Sequence, residues 1–398
     1  MKKSLIALAA LASVAGVAQA QSVEMYGLLD TGYFMYESTG AGAKQKMNAV
    51  GNLNSSNGSG YFNGSRFGMR GNEDLGGGTK ASFVIEYGVN FGTSASGAAA
   101  AGGAGTGVSN DQALANMRQG YLQLQSNQLG QLRIGSQYAL IDPTSDALAS
   151  KQADFGGTNA AQGAHSLLKF NEAAFARSPA AIGYATPTWY GVTARLLFNP
   201  SASVSQDGTA KQENNFQYAV DYKGGPITAG YASMTVGNYT NTTGKLIDVI
   251  GTANDTVFNN VNGVRSTLQY SVAGAQYDFG VAQVSLTDTE YKSKINSGAN
   301  TGSNFKHHAD GIAVGYTVAP KIRLGAGYTM GKITDVGVHA YDTKGYDLFA
   351  FYDLSKRTNA YVTYGKTSYD KKDADANLTG TQANVAQTAL GVGIRHTF

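Results

Sequence analysis

Arg66 and Arg70 flank Phe67 and Met69 in a segment that alternates polar and apolar residues. In an extended chain both guanidinium groups point to one side, and the ring and the thioether to the other. Arg133, between Leu132 and Ile134, stands the same way. Lys80, Arg195, Arg265 and Arg323 follow by parity, as do the carboxylates Glu24, Asp30 and Glu86. Fixed charges along one wall do electrostatic work: in a narrow space they order water and bias ions. Arg66, Arg70 and Arg133 lie near the root of a long segment, 139–177, that carries Asp142, Asp146 and Asp154. Cations on a wall facing carboxylates on that segment would set a transverse field. The plainer alternative is that these arginines only solvate a polar interior and pair with Glu24, Asp30 and Glu86.

Bond-making chemistry has less support. A hydrolase needs a Ser/His pair with a polar orienting group. The five histidines are His165, His307, His308, His339 and His396; four lie in or beside loops and the last is in a terminal strand. His307 and His308 are adjacent, so on a strand they point to opposite sides and do not share an ion. No metal and no cofactor is expected. With 0 cysteines, disulfides, thiolate metal sites and a cysteine nucleophile are excluded. Gly76-Gly77-Gly78 and Gly102-Gly103 lack the Lys-Ser/Thr that a phosphate cradle requires.

The elements that must position the charges are strands. Pairs of strand-like segments recur, each with a tight turn inside and a longer polar stretch after it. The segments are 23–36, 65–73, 79–91, 116–125, 130–138, 179–185, 191–199, 214–222, 227–236, 265–277, 281–291, 308–318, 321–332, 344–354, 358–369 and a closing strand, sixteen in all. An even number of strands with turns on one rim and loops on the other is the plan of a transmembrane barrel. A propeller would repeat a signature every ~40–45 residues, and none is seen. The stretches 37–63 and 93–115 read as loops, the second a low-complexity Gly/Ala/Ser run. Segment 139–177 reads as a loop folded into the lumen, with an external flap as the alternative.

The two ends of the chain agree with this plan. Val385 to Phe398 alternates Leu390, Val392 and Ile394 with Gly391, Gly393 and Arg395, and stops on an aromatic. That pattern suits a closing strand whose last ring, Phe398, lies at a membrane interface and serves as an assembly signal. Lys2 and Lys3, an apolar run and Ala18-Gln19-Ala20 form a secretory leader over residues 1–20, leaving one domain at 21–398. No later stretch has eighteen consecutive apolar residues, so no transmembrane helix is expected. Without the two leader lysines the charge is 28 against 27, too balanced for a nucleic-acid partner.

Val23-Glu24-Met25-Tyr26-Gly27-Leu28-Leu29-Asp30, Ser65 to Gly76, Leu354-Ser355-Lys356-Arg357-Thr358 and Gly393 to Phe398 together resemble the general porins of beta-proteobacteria. The blocks span the chain from end to end. The resemblance implies a trimeric, sixteen-stranded barrel with an inward third loop, and a water-filled channel for passive diffusion. Where many members read Gly-Arg-Gln, this chain has Gly135-Ser136-Gln137, so no selectivity is carried over.

The expectation is therefore an all-β transmembrane barrel in the cell outer membrane, passing small hydrophilic solutes and ions. A mild anion preference follows from the excess of wall cations. A homotrimer in outer-membrane lipid is implied by the resemblance, with small residues on strands one to five as a physical hint. The rivals are a substrate-specific channel, which would need a paired ladder of aromatics along the bore, and a barrel hydrolase.

Overall fold

The computed structural model describes residues 22–40, 43–51, 64–89, 93–97, 114–148, 169–170, 177–200, 215–240, 245–248, 256–259, 265–296, 304–335, 338–372 and 384–398. Residues 1–20, expected as a leader, and Asp154 lie outside them. Sixteen strands close into an antiparallel barrel. They are β1 (Ser22–Gly40), β2 (Arg66–Gly76), β3 (Thr79–Val89), β4 (Leu114–Ser126), β5 (Gly130–Tyr138), β6 (Arg177–Ala185), β7 (Val192–Asn199) and β8 (Asn215–Gly224). The second half comprises β9 (Ile227–Thr240), β10 (Arg265–Asp278), β11 (Ala282–Ile295), β12 (Asn304–Ala319), β13 (Ile322–Asp335), β14 (Val338–Asp353), β15 (Thr358–Lys371) and β16 (Val385–Thr397). Each strand pairs with its neighbour in sequence. β1 pairs β16 over Leu28–Thr39, which closes the ring. In lipid every backbone N–H and C=O must find a partner within the protein, and a closed sheet achieves this without an edge.

Alternation sorts the side chains. Met25, Met69, Ile85, Leu124, Ile134, Leu196, Val220, Leu286, Val314, Leu324, Leu348 and Ile394 are exposed on the outer face. Tyr222, Tyr277, Phe279, Tyr316, Tyr352 and Phe398 ring the short-turn rim, as an aromatic girdle does at a membrane interface. The intervening residues face the bore. They include glutamines, threonines and the buried Asp30, Glu86, Asp347 and Arg395.

Three features depart from the sequence reading. Ala43–Gly51 and Thr93–Gly97, expected as loops, are short strands that pair with each other, and the first also pairs with the upper half of β1. β13 and β14 continue pairing to Asp335 and Val338, through residues expected as a loop. Lys169–Phe170, Lys245–Asp248 and Thr256–Asn259 form a separate small sheet. Polar sequence masked these strands, because a strand above the membrane has no apolar face to bury.

Glycines on the outer face are filled by neighbours of the same chain. Phe398 lies over Gly27, Phe83 over Gly71 and Met117 over Gly120. The small residues of the first strands are thus places where a large side chain leans across, and they give no separate sign of a subunit contact. Phe398 also exchanges both backbone hydrogen bonds with Gly27, at 3.1 Å each. A Cβ at Gly27 would stand 2.3 Å from the Phe398 ring and 2.8 Å from the Arg66 carbonyl oxygen. Gly27→Ala should therefore destabilise the closed barrel by about 1–3 kcal/mol, as overpacking does. Denaturant titration in lipid vesicles checks this, and an unchanged midpoint contradicts it.

Candidate pore constriction

Tyr26 and Glu24 on β1, Arg66 and Arg70 on β2, and Glu86 on β3 share the inward face. Arg70 pairs with Glu24 and lies over the Tyr26 ring, 5.1 Å from its centre. Tyr26 Oη donates to Glu86 Oε2 at 3.0 Å. Glu86 also accepts from Arg118 Nε at 2.8 Å and from Tyr138 Oη at 2.9 Å, while Arg118 Nη2 donates to Tyr138 Oη at 2.7 Å. Arg118 and Glu86 are 9% and 3% exposed. A pair so buried is held by mutual charge and a complete set of hydrogen bonds. Arg66 is close enough to act electrostatically on Glu86.

Sequence reasoning missed Arg118, and a bulge is the reason. On β4, Leu122 and Leu124 face outward, so simple parity puts Arg118 outward as well. In the structure Glu86 pairs with Gln119 but the next residue, Tyr87, pairs with Met117. Arg118 is the extra residue. The bulge reverses the phase, leaving Met117 exposed and turning Arg118 toward Glu86. The successive polar residues Arg118-Gln119 were the available signal, since they break the alternation. β5 and β6 carry a second irregularity between Gly135 and Gln137. Gly135 has φ +133°, and a Cβ there would meet the Gly120 carbonyl oxygen at 2.2 Å. Only glycine fits that backbone.

Arg133 on β5 donates to Gln123 Oε1 at 3.1 Å and stacks 4.4 Å from the Tyr121 ring centre. Arg195 on β7 lies within electrostatic reach of it. Arg177, at the start of β6, acts on the same surroundings as Arg118, together with Glu86 and Asp142. On sequence alone Arg177 falls at the end of the 139–177 loop. One arc of wall from β2 to β7 therefore gathers Arg66, Arg70, Arg118, Arg133, Arg177 and Arg195. The carboxylates beside this arc are Glu24 on β1, Glu86 on β3, Asp221 on β8 and Asp142 in the segment that follows β5.

Beyond Tyr138 the chain leaves the wall. Ile141–Leu148 forms a helix, α1, which the sequence reading did not foresee. Pro143 falls in its first turn, where a missing N–H costs nothing. Leu140, Ile141 and Leu148 pack against Ala219, Ala232, Met234, Leu268 and Val272, which line the inner faces of β8, β9 and β10. Three points pin the segment. Leu140 N–H donates to Gln217 Oε1 at 2.7 Å. Thr144 Oγ1 donates to Asp221 Oδ1 at 3.0 Å and accepts from Arg195 Nη2 at 2.7 Å. Leu148 C=O accepts from Gln276 Nε2 at 3.4 Å. Gly230 and Gly274 leave room for the helix, for a Cβ there would stand 3.0 Å from Thr144 Cγ2 and 2.9 Å from Leu148 Cδ1.

Other candidates lie elsewhere. Lys80 is near the short-turn rim, opposite Asp74. Arg323 pairs with Asp353 at 2.8 Å. Asp30 accepts from Tyr361 Oη at 2.6 Å and faces Arg395 across the closing seam. Phe349, Phe351 and Tyr361 form a short run of edge-on rings in that sector, with Arg323 and Arg395 over Phe351. Asp146 belongs to α1 and Arg265 opens β10, but their side chains lie outside the described residues. His307 is buried and His308 is half-exposed, on opposite faces of β12.

A closed barrel, apolar outside and charged inside, with a helix folded onto its inner wall, defines a diffusion channel of the outer membrane. The comparisons agree. The Gram-negative porin family model matches residues 7–372, and the chain belongs to that family. It is 30% identical to outer membrane porin protein 32 of Delftia acidovorans, over 100% of both chains. An anion-selective porin from Comamonas acidovorans has the same fold, with TM-score 0.67, 22% identity and coverage of 95% of this chain and 100% of that one. So does a trimer form of OmpT from Vibrio cholerae, with TM-score 0.57, 16% identity and coverage of 96% and 100%. The protein is a porin of the cell outer membrane.

Glu86→Gln removes the negative charge that Arg118 is buried against. Loss of one partner of such a pair costs about 3–5 kcal/mol. Urea titration in vesicles, followed through Trp189, the single tryptophan, should show a lower midpoint than wild type; an equal midpoint contradicts the assignment.

Proposed function

We propose that the arc from Arg66 to Arg195 is one wall of the constriction, that α1 narrows the bore beside it, and that the channel prefers anions mildly. The observation that carries this reading is the gathering of six arginines against four carboxylates around the root of the inward helix. Wall charges are held by strand geometry and cannot swing away from the ion path. The described carboxylate of the helix, Asp142, is within reach of Arg177, so it moderates the excess without reversing it. The anion selectivity of the Comamonas acidovorans porin is in keeping with this.

Among the described residues, the edge-on run at Phe349, Phe351 and Tyr361 is three rings long and local to one sector of the wall, which favours a general pore over a substrate-specific one. The reading involves no catalysis. It includes export through the leader at 1–20 and assembly as a homotrimer. The trimeric form of the Vibrio cholerae relative supports that assembly.

In a KCl gradient the reversal potential should take the sign of an anion-preferring pore and shrink as salt rises, since screening reaches only ~10 Å at 0.1 M. Replacing Arg66, Arg70, Arg118 and Arg133 together by Gln should move it toward or past zero. Cation preference in the wild type, or no shift in the variant, overturns the assignment.

A further inference from the structure

The outer face of β11 and β12 holds a group of side chains that the pore does not use. Parity places Asp288 on the outward side with Leu286, and His308 and Asp310 with Ile312 and Val314. They are the first polar residues above the apolar band, toward the long-loop rim. Asp288 and Asp310 are direct cross-strand partners. Their carboxylates thus face each other, an arrangement that is destabilising by itself. His308, one step further along the same face, hydrogen-bonds Asp288 through Nε2. One potential ligand atom from each of the three residues lies within 4.8 Å of the other two.

Nearby acids have been neutralised in a different way. Glu290 is paired with both Lys292 and Lys306. Asp342, on β14, is paired with Lys372 and His339. Asp310 has no ion pair among the described residues, although Lys332 stands opposite His308 on β13. Among the described residues, the side chain drawn in beside the Asp288–Asp310 pair is the His308 imidazole.

We propose that Asp288, His308 and Asp310 form a divalent-cation site of the zinc class on the outer surface of the barrel. Two carboxylate oxygens and one imidazole nitrogen are a donor set that zinc accepts, at ~2.0–2.2 Å from the metal. The imidazole favours zinc over magnesium or calcium, which take oxygen alone. Both strands are fixed in the wall, so side-chain rotation alone brings the donors together. The bound cation removes the repulsion across β11 and β12 and clips the two strands at the edge of the apolar band. The site is remote from the ion path, so the inference stands apart from the pore reading.

The test uses the full-length protein refolded in detergent and stripped with EDTA. Calorimetric titration with zinc chloride should show one site per chain, with calcium binding at least about tenfold more weakly. Asp288→Asn with Asp310→Asn, and separately His308→Gln, should each weaken zinc by about tenfold or more. His339→Gln should not, which separates this site from the exposed His339–Asp342 pair. Unchanged conductance in each variant shows that the barrel has formed. Absence of a zinc isotherm, binding in the Asp or His308 variants equal to wild type, loss of binding in His339→Gln, or calcium binding as tight as zinc would overturn the proposal.

Discussion

No backbone polar group can go unpaired in the hydrocarbon of a membrane. That constraint forces the chain into a closed sheet, and the sheet then governs everything inside it. A paired strand cannot rotate a single residue out of place. A side chain faces lipid or bore according to whether its number is odd or even, and only a bulge changes the count. The charge of the bore is therefore settled by parity and by a few irregularities.

The bulge at Arg118 is the most consequential of these. It turns a guanidinium that would otherwise face lipid into a buried pair with Glu86, tied at both ends to Tyr26 and Tyr138. By contrast Arg70 and Glu24 are well exposed to the bore. An exposed pair adds little stability, about 0–1 kcal/mol. Arg70 therefore contributes field to the bore, whereas Arg118 contributes field and structure together. α1 is bound into the same wall. Arg195 joins the cationic arc and also donates to Thr144, so the residue that charges the wall helps hold the helix against it.

The strands were legible because lipid on one side and water on the other impose period two wherever a strand crosses the membrane. Arg66, Arg70, Arg133 and Glu86 followed from that period alone. Where the membrane ends the signal ends, which is why Ala43–Gly51 and Thr93–Gly97 read as loops. α1 was hidden for a related reason. It has eight residues, and its apolar contacts, Leu140, Ile141 and Leu148, are too few to show a helical period. Arg118 was missed because parity, carried past a bulge, points to the wrong face. The glycines were read as a possible subunit face because a sequence does not show which ring leans over which Cα.

The central claim is that one inserted residue sets which side chains of β4 face the ion path. The chain has 0 cysteines, so single cysteines can be placed without background. Arg118→Cys and Met117→Cys, each in a planar bilayer, should be exposed in turn to a charged, water-soluble thiol reagent during current recording. The account predicts that modification at position 118 changes the current and that position 117 gives no response. A response at 117 with none at 118 would mean that the phase is not reversed, and the arginine arc as described would be wrong.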